Sequence, residues 1–266
     1  MVCTCRRFLK VRFYKFTGSG NDFLIFEYKY LKKIFPKIKS LCDRKFGIGA
    51  DGVLFYKEEK NYDFRMIYYN SDSSRAEFCA NGARCLLFYA FLKTNKKHFR
   101  FISDDGEHEG FILNKNGLVR VSLKIKGEAK FDFKIQGIKY KLCFINSGVP
   151  HTVIFLKNLD RIDVKGIGEK IRFHEYFKPE GTNVDFVEKE KDNLISIRTY
   201  ERGVEDEVLA CGTGIVASAF LAKEKFKIKD KEILVKTKGG EILKVIFEKD
   251  KIFLEGYVRK IFKGEI

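Results

Sequence analysis

The 266-residue sequence predicts an α+β protein of two pseudo-symmetric domains, with a site in the cleft between them. Three observations carry this expectation. The chain repeats itself once at a long interval, short β-rich runs outnumber helical ones, and each half holds one apolar helix that begins just after a cysteine.

The repeat emerges by subtraction. Cys79 and Cys211 lie 211 − 79 = 132 positions apart, as do Gly49 and Gly181, Tyr68 and Tyr200, and Phe88 and Phe220. In the first copy Gly49-Ala50-Asp51-Gly52-Val53-Leu54-Phe55 precedes the strand-like Phe64–Tyr69 and then Cys79. In the second, Gly181-Thr182-Asn183-Val184-Asp185-Phe186-Val187 precedes Ile195–Tyr200 and then Cys211. Further upstream, Gly18–Phe26 is echoed by Asn146–Phe155, offset by 148 − 20 = 128. Solenoid repeats run roughly 20–50 residues, so one long period implies duplication into two similar halves. The expected domains are residues 1–125 and 126–257, with the crossover near Lys124–Lys130.

Period-two apolar runs bounded by Gly, Asn or Asp predict strands at Arg12–Phe16, Phe23–Tyr28, Val119–Ile125, Tyr140–Asn146, His151–Leu156, Ile233–Lys236, Ile242–Phe247 and Ile252–Tyr257. Helices are expected at Leu31–Phe46, Ala83–Lys93, within Ile162–Phe173, and at Thr213–Phe226. The 45% apolar share and 27 phenylalanines are ample for folded cores, and no linker-like Ser/Pro-rich run interrupts them.

Lys and Arg exceed Asp and Glu by 52 − 36 = 16. The lysines are spread along the chain, as at Lys32-Lys33, Lys96-Lys97, Lys229 and Lys231, rather than gathered on one arm or helix. This reads as a surface bias and not as a nucleic-acid site. No stretch approaches the roughly 20 apolar residues of a membrane span. Arg6-Arg7 is followed by no hydrophobic segment or cleavage site, which gives an ordinary cytoplasmic start. The partner expected is a small molecule, with no nucleic acid and no membrane.

Seven cysteines, an odd number scattered over a large chain, argue against a disulfide framework. Neither Cys3-x-Cys5 nor the Cys79 and Cys85 spacing is that of a zinc site, and no metal is expected. Cys3, Cys5, Cys42, Cys85 and Cys143 read as structural or incidental. Cys79 and Cys211 differ, because each is followed by a small residue, a polar residue and glycine (Ala80-Asn81-Gly82 and Gly212-Thr213-Gly214) before its helix. A helix N-terminus favours a thiolate through free backbone N–H groups and the helix dipole. Two such thiols facing each other across a pseudo-twofold axis can take a proton from one face of a carbon and deliver one to the other. That is racemisation or epimerisation without a cofactor. The paired helix starts would receive the substrate carboxylate, where charge grows as the proton leaves.

At these residues the chain resembles the diaminopimelate epimerase family. The matching segments are Lys15–Phe23, Gly47–Gly52, Asn70 with Cys79–Cys85, Gly148–His151, Gly181–Val184, and Tyr200–Gly203 with Ala210–Gly214, all in family order. The resemblance implies curved mixed sheets, each wrapped round a central helix, a last strand at about 258–266 that returns to the first domain, and a homodimer. It implies interconversion of LL- and meso-diaminopimelate in lysine and peptidoglycan precursor synthesis.

Carried over by position, Cys79 and Cys211 are the catalytic pair and His151 and Glu201 support them. Asn21, Asn70, Asn183, Glu201 and Arg202 hold the distal end of the substrate, and Ala80, Asn81, Gly212 and Thr213 lie at the helix starts that receive its carboxylate. Phe262 aligns with a dimer-contact aromatic. Their chemistry fits these roles: Arg202 can fork onto a carboxylate, Glu201 can pair an ammonium, and three Asn amides supply donors and acceptors. Val149, Gly52 and Ala80 depart from residues common in the family (Asn, Gln and Gly), which bears on selectivity. The rival reading within the fold is a two-cysteine racemase of histidine, proline or hydroxyproline.

Overall fold

A computed structural model describes residues 10–249 and 251–266. The N-terminal reading of Arg6-Arg7, Cys3 and Cys5 lies outside the described residues. The first half runs β1 (Arg12–Gly18), β2 (Asn21–Glu27), α1 (Leu31–Ile34), α2 (Ile38–Cys42), β3 (Gly52–Glu59), β4 (Tyr62–Asn70), β5 (Arg75–Ala76), α3 (Ala80–Thr94), β6 (His98–Ser103), β7 (Gly106–Ile112), β8 (Leu118–Leu123) and β9 (Lys126–Phe133). The second runs β10 (Leu142–Asn146), β11 (Pro150–Phe155), α4 (Val164–Arg172), β12 (Asn183–Lys191), β13 (Leu194–Glu201), β14 (Asp206–Val208), α5 (Gly212–Lys225), β15 (Glu232–Lys236), β16 (Ile242–Glu248) and β17 (Lys251–Glu265).

The duplication is visible in the strand pairing. β2 runs parallel to β3 with Phe23 opposite Gly52, and β11 runs parallel to β12 with His151 opposite Asn183. β4 pairs in parallel with β6, as β13 does with β15. Antiparallel and parallel ladders thus mix in one continuous sheet, an α+β architecture of two related halves. β8 lies antiparallel to the first part of β17, with Leu118 opposite Tyr257. From there the two halves exchange strands. β9 leaves the first half to pair with β10, and the rest of β17 leaves the second half to pair with β1, placing Gly18 opposite Val258.

Each half wraps one buried helix. Every residue of α3 from Ala80 to Phe91 is buried, and α5 is buried from Gly212 to Ala222 apart from Phe220. A helix apolar on all sides belongs inside a core, and both helices share one hydrophobic cluster. Gly110 on β7 has no room for a side chain, since a Cβ there would stand 2.3 Å from Leu87 of α3. Shorter helices cover the outer sheet faces: α1 and α2 pack through Ile34, Ile38 and Cys42, and α4 through Val164 and Ile171.

One expectation needs correction. The helix expected over Leu31–Phe46 is broken, with Pro36 in a tight turn between α1 and α2. It stops at Cys42, after which Asp43 Oδ1 accepts from the Lys45 and Phe46 N–H groups and fixes a turn. β17 continues through the expected last strand to Glu265, and β9 forms at Lys126–Phe133, where the sequence shows no strand pattern.

Candidate active site

Cys79 and Cys211 occupy the same structural position, each the extended residue that caps a central helix (φ −142° and −111°). The two helix starts abut. A Cβ on Gly212 would lie 2.7 Å from Ala80 Cβ and 3.2 Å from Asn81 Oδ1, so only one of the two equivalent positions carries a methyl. Asn81 Nδ2 donates to the Ala210 carbonyl at 3.3 Å and stitches the first helix start to the residue before Cys211. The first three N–H groups of each helix have no intrahelical acceptor, so two positive helix ends converge here.

The thiols have different neighbours. Cys79 Sγ accepts from Gly82 N–H at 3.4 Å and stands 3.7 Å from Asn21 Oδ1. Asn21 Nδ2 in turn donates to Asp51 at 2.6 Å. Cys211 Sγ stands 3.4 Å from Thr213 Oγ1, which is 2.9 Å from His151 Nε2. With its Nδ1–H donating to Asp185 at 2.7 Å, the His151 ring accepts the Thr213 hydroxyl proton at Nε2. Thr199 donates to the other Asp185 oxygen at 2.7 Å. The chain at Cys211 is buried and runs through a histidine to Asp185, whereas the one at Cys79 runs through an amide to the part-buried Asp51.

Burial pushes the Cys79 thiol up to about 12, against the Gly82 N–H and helpful helix geometry, with Glu201 adding to the rise. Cys211 is raised further, by burial first and then by the charges of Glu201 and Asp185. The backbone N–H groups at the helix starts act on both thiols in the expected direction, and desolvation outweighs them. Burial likewise lifts Glu201 to about 7, aided by Asp51 and Asp185 and opposed by a hydrogen bond with Cys211.

The expected substrate-binding residues fall into two groups. Asn183 is buried, donates to the Pro150 carbonyl at 3.0 Å and accepts from Arg202 N–H at 2.8 Å. Arg202 reaches the Glu180 carbonyl at 3.1 Å and pairs with no carboxylate among the described residues. Asn70 sits at the end of β4 opposite Gly52, its amide on Ser74 at 2.9 Å. Its neighbour Ser71 donates to the Asp51 carbonyl, which brings the Asn70 turn beside Asn21. Phe262 is remote from both thiols and half-exposed, edge-on to Phe13 at 5.9 Å. Cys42, Cys85 and Cys143 are free and buried, as are the core positions around them.

The family model described as diaminopimelate epimerase matches this chain twice, over residues 13–130 and 143–261. The chain belongs to the diaminopimelate epimerase family. A diaminopimelate epimerase of Flavobacterium psychrophilum is 39% identical over 267 residues, covering 96% of this chain and all of the relative. One from Aquifex aeolicus is 37% identical, covering 96% and 98%. Two solved structures share the fold at low identity. A hydroxyproline epimerase from Agrobacterium vitis has a TM-score of 0.71 at 9% identity, covering 97% of this chain and 92% of its own. A Bacillus anthracis protein of the PhzF phenazine-biosynthesis family also has 0.71, at 14% identity, covering 97% and 99%. As a diaminopimelate epimerase family member the chain is an isomerase of the epimerase and racemase type. Among its described residues no helix is long and apolar enough to cross a membrane.

The structure accounts for one departure from the family pattern. A Cβ at Gly52 would lie 2.6 Å from the Tyr68 ring, so Tyr68 fills the space that a glutamine needs. Tyr68, not singled out from the sequence, is buried against Gly52, and that burial holds its hydroxyl well above the usual phenol range. Asp185 and Thr199 were missed as well. Asp185 is legible only as the polar interruption in the apolar run Val184-Asp185-Phe186. Asp185→Ala strands the His151 Nδ1–H and the Thr199 hydroxyl in a dry core. It is expected to lower unfolding stability by about 2–4 kcal/mol in urea titration.

Proposed function

We propose that this enzyme interconverts LL- and meso-diaminopimelate by moving a proton at Cα between two thiols, with no cofactor. The observation that supports this most directly is the head-to-head meeting of two cysteine-capped helix starts. A thiolate on one side takes the Cα proton, and the thiol opposite gives its own proton to the other face. The configuration inverts, and the pair ends with its protonation exchanged. Each cysteine serves as base in one direction and acid in the other.

The growing negative charge spreads into the α-carboxylate, which the backbone N–H groups of Ala80, Asn81, Gly212 and Thr213 receive. Glu201 pairs with a substrate ammonium and exchanges a hydrogen bond with Cys211, while His151 holds Thr213 against that thiol. Asn21, Asn70, Asn183 and Arg202 hold the distal amino-acid end, Arg202 through its carboxylate.

The half-exposed strip of Tyr257, Ile261 and Phe262 on β17 supports a homodimer contact. We place the enzyme in the cytoplasm, in lysine and peptidoglycan precursor synthesis, with no nucleic-acid partner. The halves are assigned as residues 1–125 with the strand near 258–266, and 126–257.

The deciding experiment follows purified enzyme with LL-diaminopimelate in D2O. Solvent deuterium at Cα together with meso product is expected; neither appearing overturns the reading. Because Val149 stands where many relatives have asparagine, histidine, proline and hydroxyproline belong in the same assay. Turnover of one of these in place of diaminopimelate would move the enzyme to another racemase of the fold.

A further inference from the structure

Among the described residues Arg84 is the largest fully buried side chain, and it has no carboxylate partner there. Its Nη2 donates to Asn81 Oδ1 at 2.7 Å and to Ser19 Oγ at 3.0 Å, and Nη1 reaches the Tyr257 carbonyl at 3.5 Å. Nε has no acceptor at all. The sheet makes room for this group, since a Cβ on Gly256 would lie 2.5 Å from Nη1. A guanidinium keeps its charge in a protein. Burying one without a counter-ion is costly, and an apolar side chain of similar volume would usually be at least as stable. The second copy of the repeat demonstrates that option, because the position equivalent to 84 is 84 + 132 = 216, the apolar Val216.

The charge therefore lies beneath one helix start only, one hydrogen bond from Asn81, which itself ties that start to Ala210. We propose that Arg84 is a positioning residue whose uncompensated charge, delivered behind the two helix starts, stabilises the substrate carboxylate as it gains charge. This inference rests on the function proposed above. It assigns the missing counter-ion to the substrate: the bound carboxylate supplies the negative charge that none of Arg84's hydrogen-bond partners carries. The effect is larger on kcat than on KM, because the charge on the carboxylate grows during proton removal.

The test compares Arg84→Met, Arg84→Gln and Arg84→Lys with the parent enzyme for LL-diaminopimelate epimerisation and for thermal unfolding. The Met and Gln variants are expected to lose kcat/KM on the order of 10²-fold, mostly in kcat, with Tm unchanged or raised. Arg84→Lys restores at least part of the rate, because it keeps the charge. A Gln variant within about threefold of the parent overturns the inference and leaves the proposed function standing. So does a set of variants in which activity falls only as far as the folded fraction falls and lysine gives no rescue. A parent enzyme that leaves LL-diaminopimelate untouched overturns the proposed function and this inference with it.

Discussion

Replacing either thiol is expected to stop epimerisation while leaving half of the chemistry observable. With Cys79→Ala or Cys211→Ala, net conversion should fall about 10³-fold or more, since one of two obligatory proton carriers is gone. Each variant still holds a base against one face of Cα. In D2O, one variant should exchange the Cα proton of the LL isomer without inversion, and the other that of the meso isomer. NMR of each isomer with each variant checks this. If both variants exchange the same isomer, its Cα proton is removed by a group other than the thiol assigned to that face, and the two-thiol assignment fails. The His151 chain adds a difference in degree: the thiol left in Cys79→Ala retains its buried hydrogen-bond chain through His151 to Asp185, whereas Cys79 is linked through the Asn21 amide to the part-buried Asp51.

Glu201→Gln should raise stability and lower activity together. Burial holds the Glu201 carboxyl at about 7, above its ordinary 4.5. Between those values the folded chain holds a proton that the unfolded chain has released. This contribution to stability is therefore full below pH 4.5 and is lost as the pH rises through 7. Glutamine removes the loss, so at pH 8 the variant should gain about 1–3 kcal/mol, and its stability should no longer fall between pH 5 and 8. Urea titrations across that range measure it. Turnover should drop on the order of 10²-fold, because the group proposed to pair the substrate ammonium, and hydrogen-bonded to Cys211, has lost its charge. A variant with parental turnover would remove Glu201 from the site.

The sequence revealed what repeats and what is apolar. Cys79 and Cys211 stood out because their flanks match, and helix capping followed from the small-polar-glycine pattern after each. Asn21, Asn70 and Asn183 entered through the family resemblance, since turn asparagines have no distinguishing local signal. β9 was hidden because Lys126–Phe133 is largely solvent-facing and is held by its backbone pairing with β10, which leaves no apolar alternation to read. The helix-start contribution to the two thiols is local and readable, whereas the desolvation that opposes it depends on the folded surroundings of each cysteine. Arg84 sat in plain view beside Cys85, but its lack of a carboxylate partner is a property of the folded core alone.

The exchange of β9 and the end of β17 has a consequence for each half. A single copy of the repeat could not pair its departing strand with its own first strand in this arrangement; it would have to lend that strand to a second copy and borrow one back. Neither half's sheet is therefore complete without the strand that the other supplies. Two copies held in one chain are nonetheless free to differ residue by residue. That freedom is recorded in an arginine under one helix and a valine at the same place in the other.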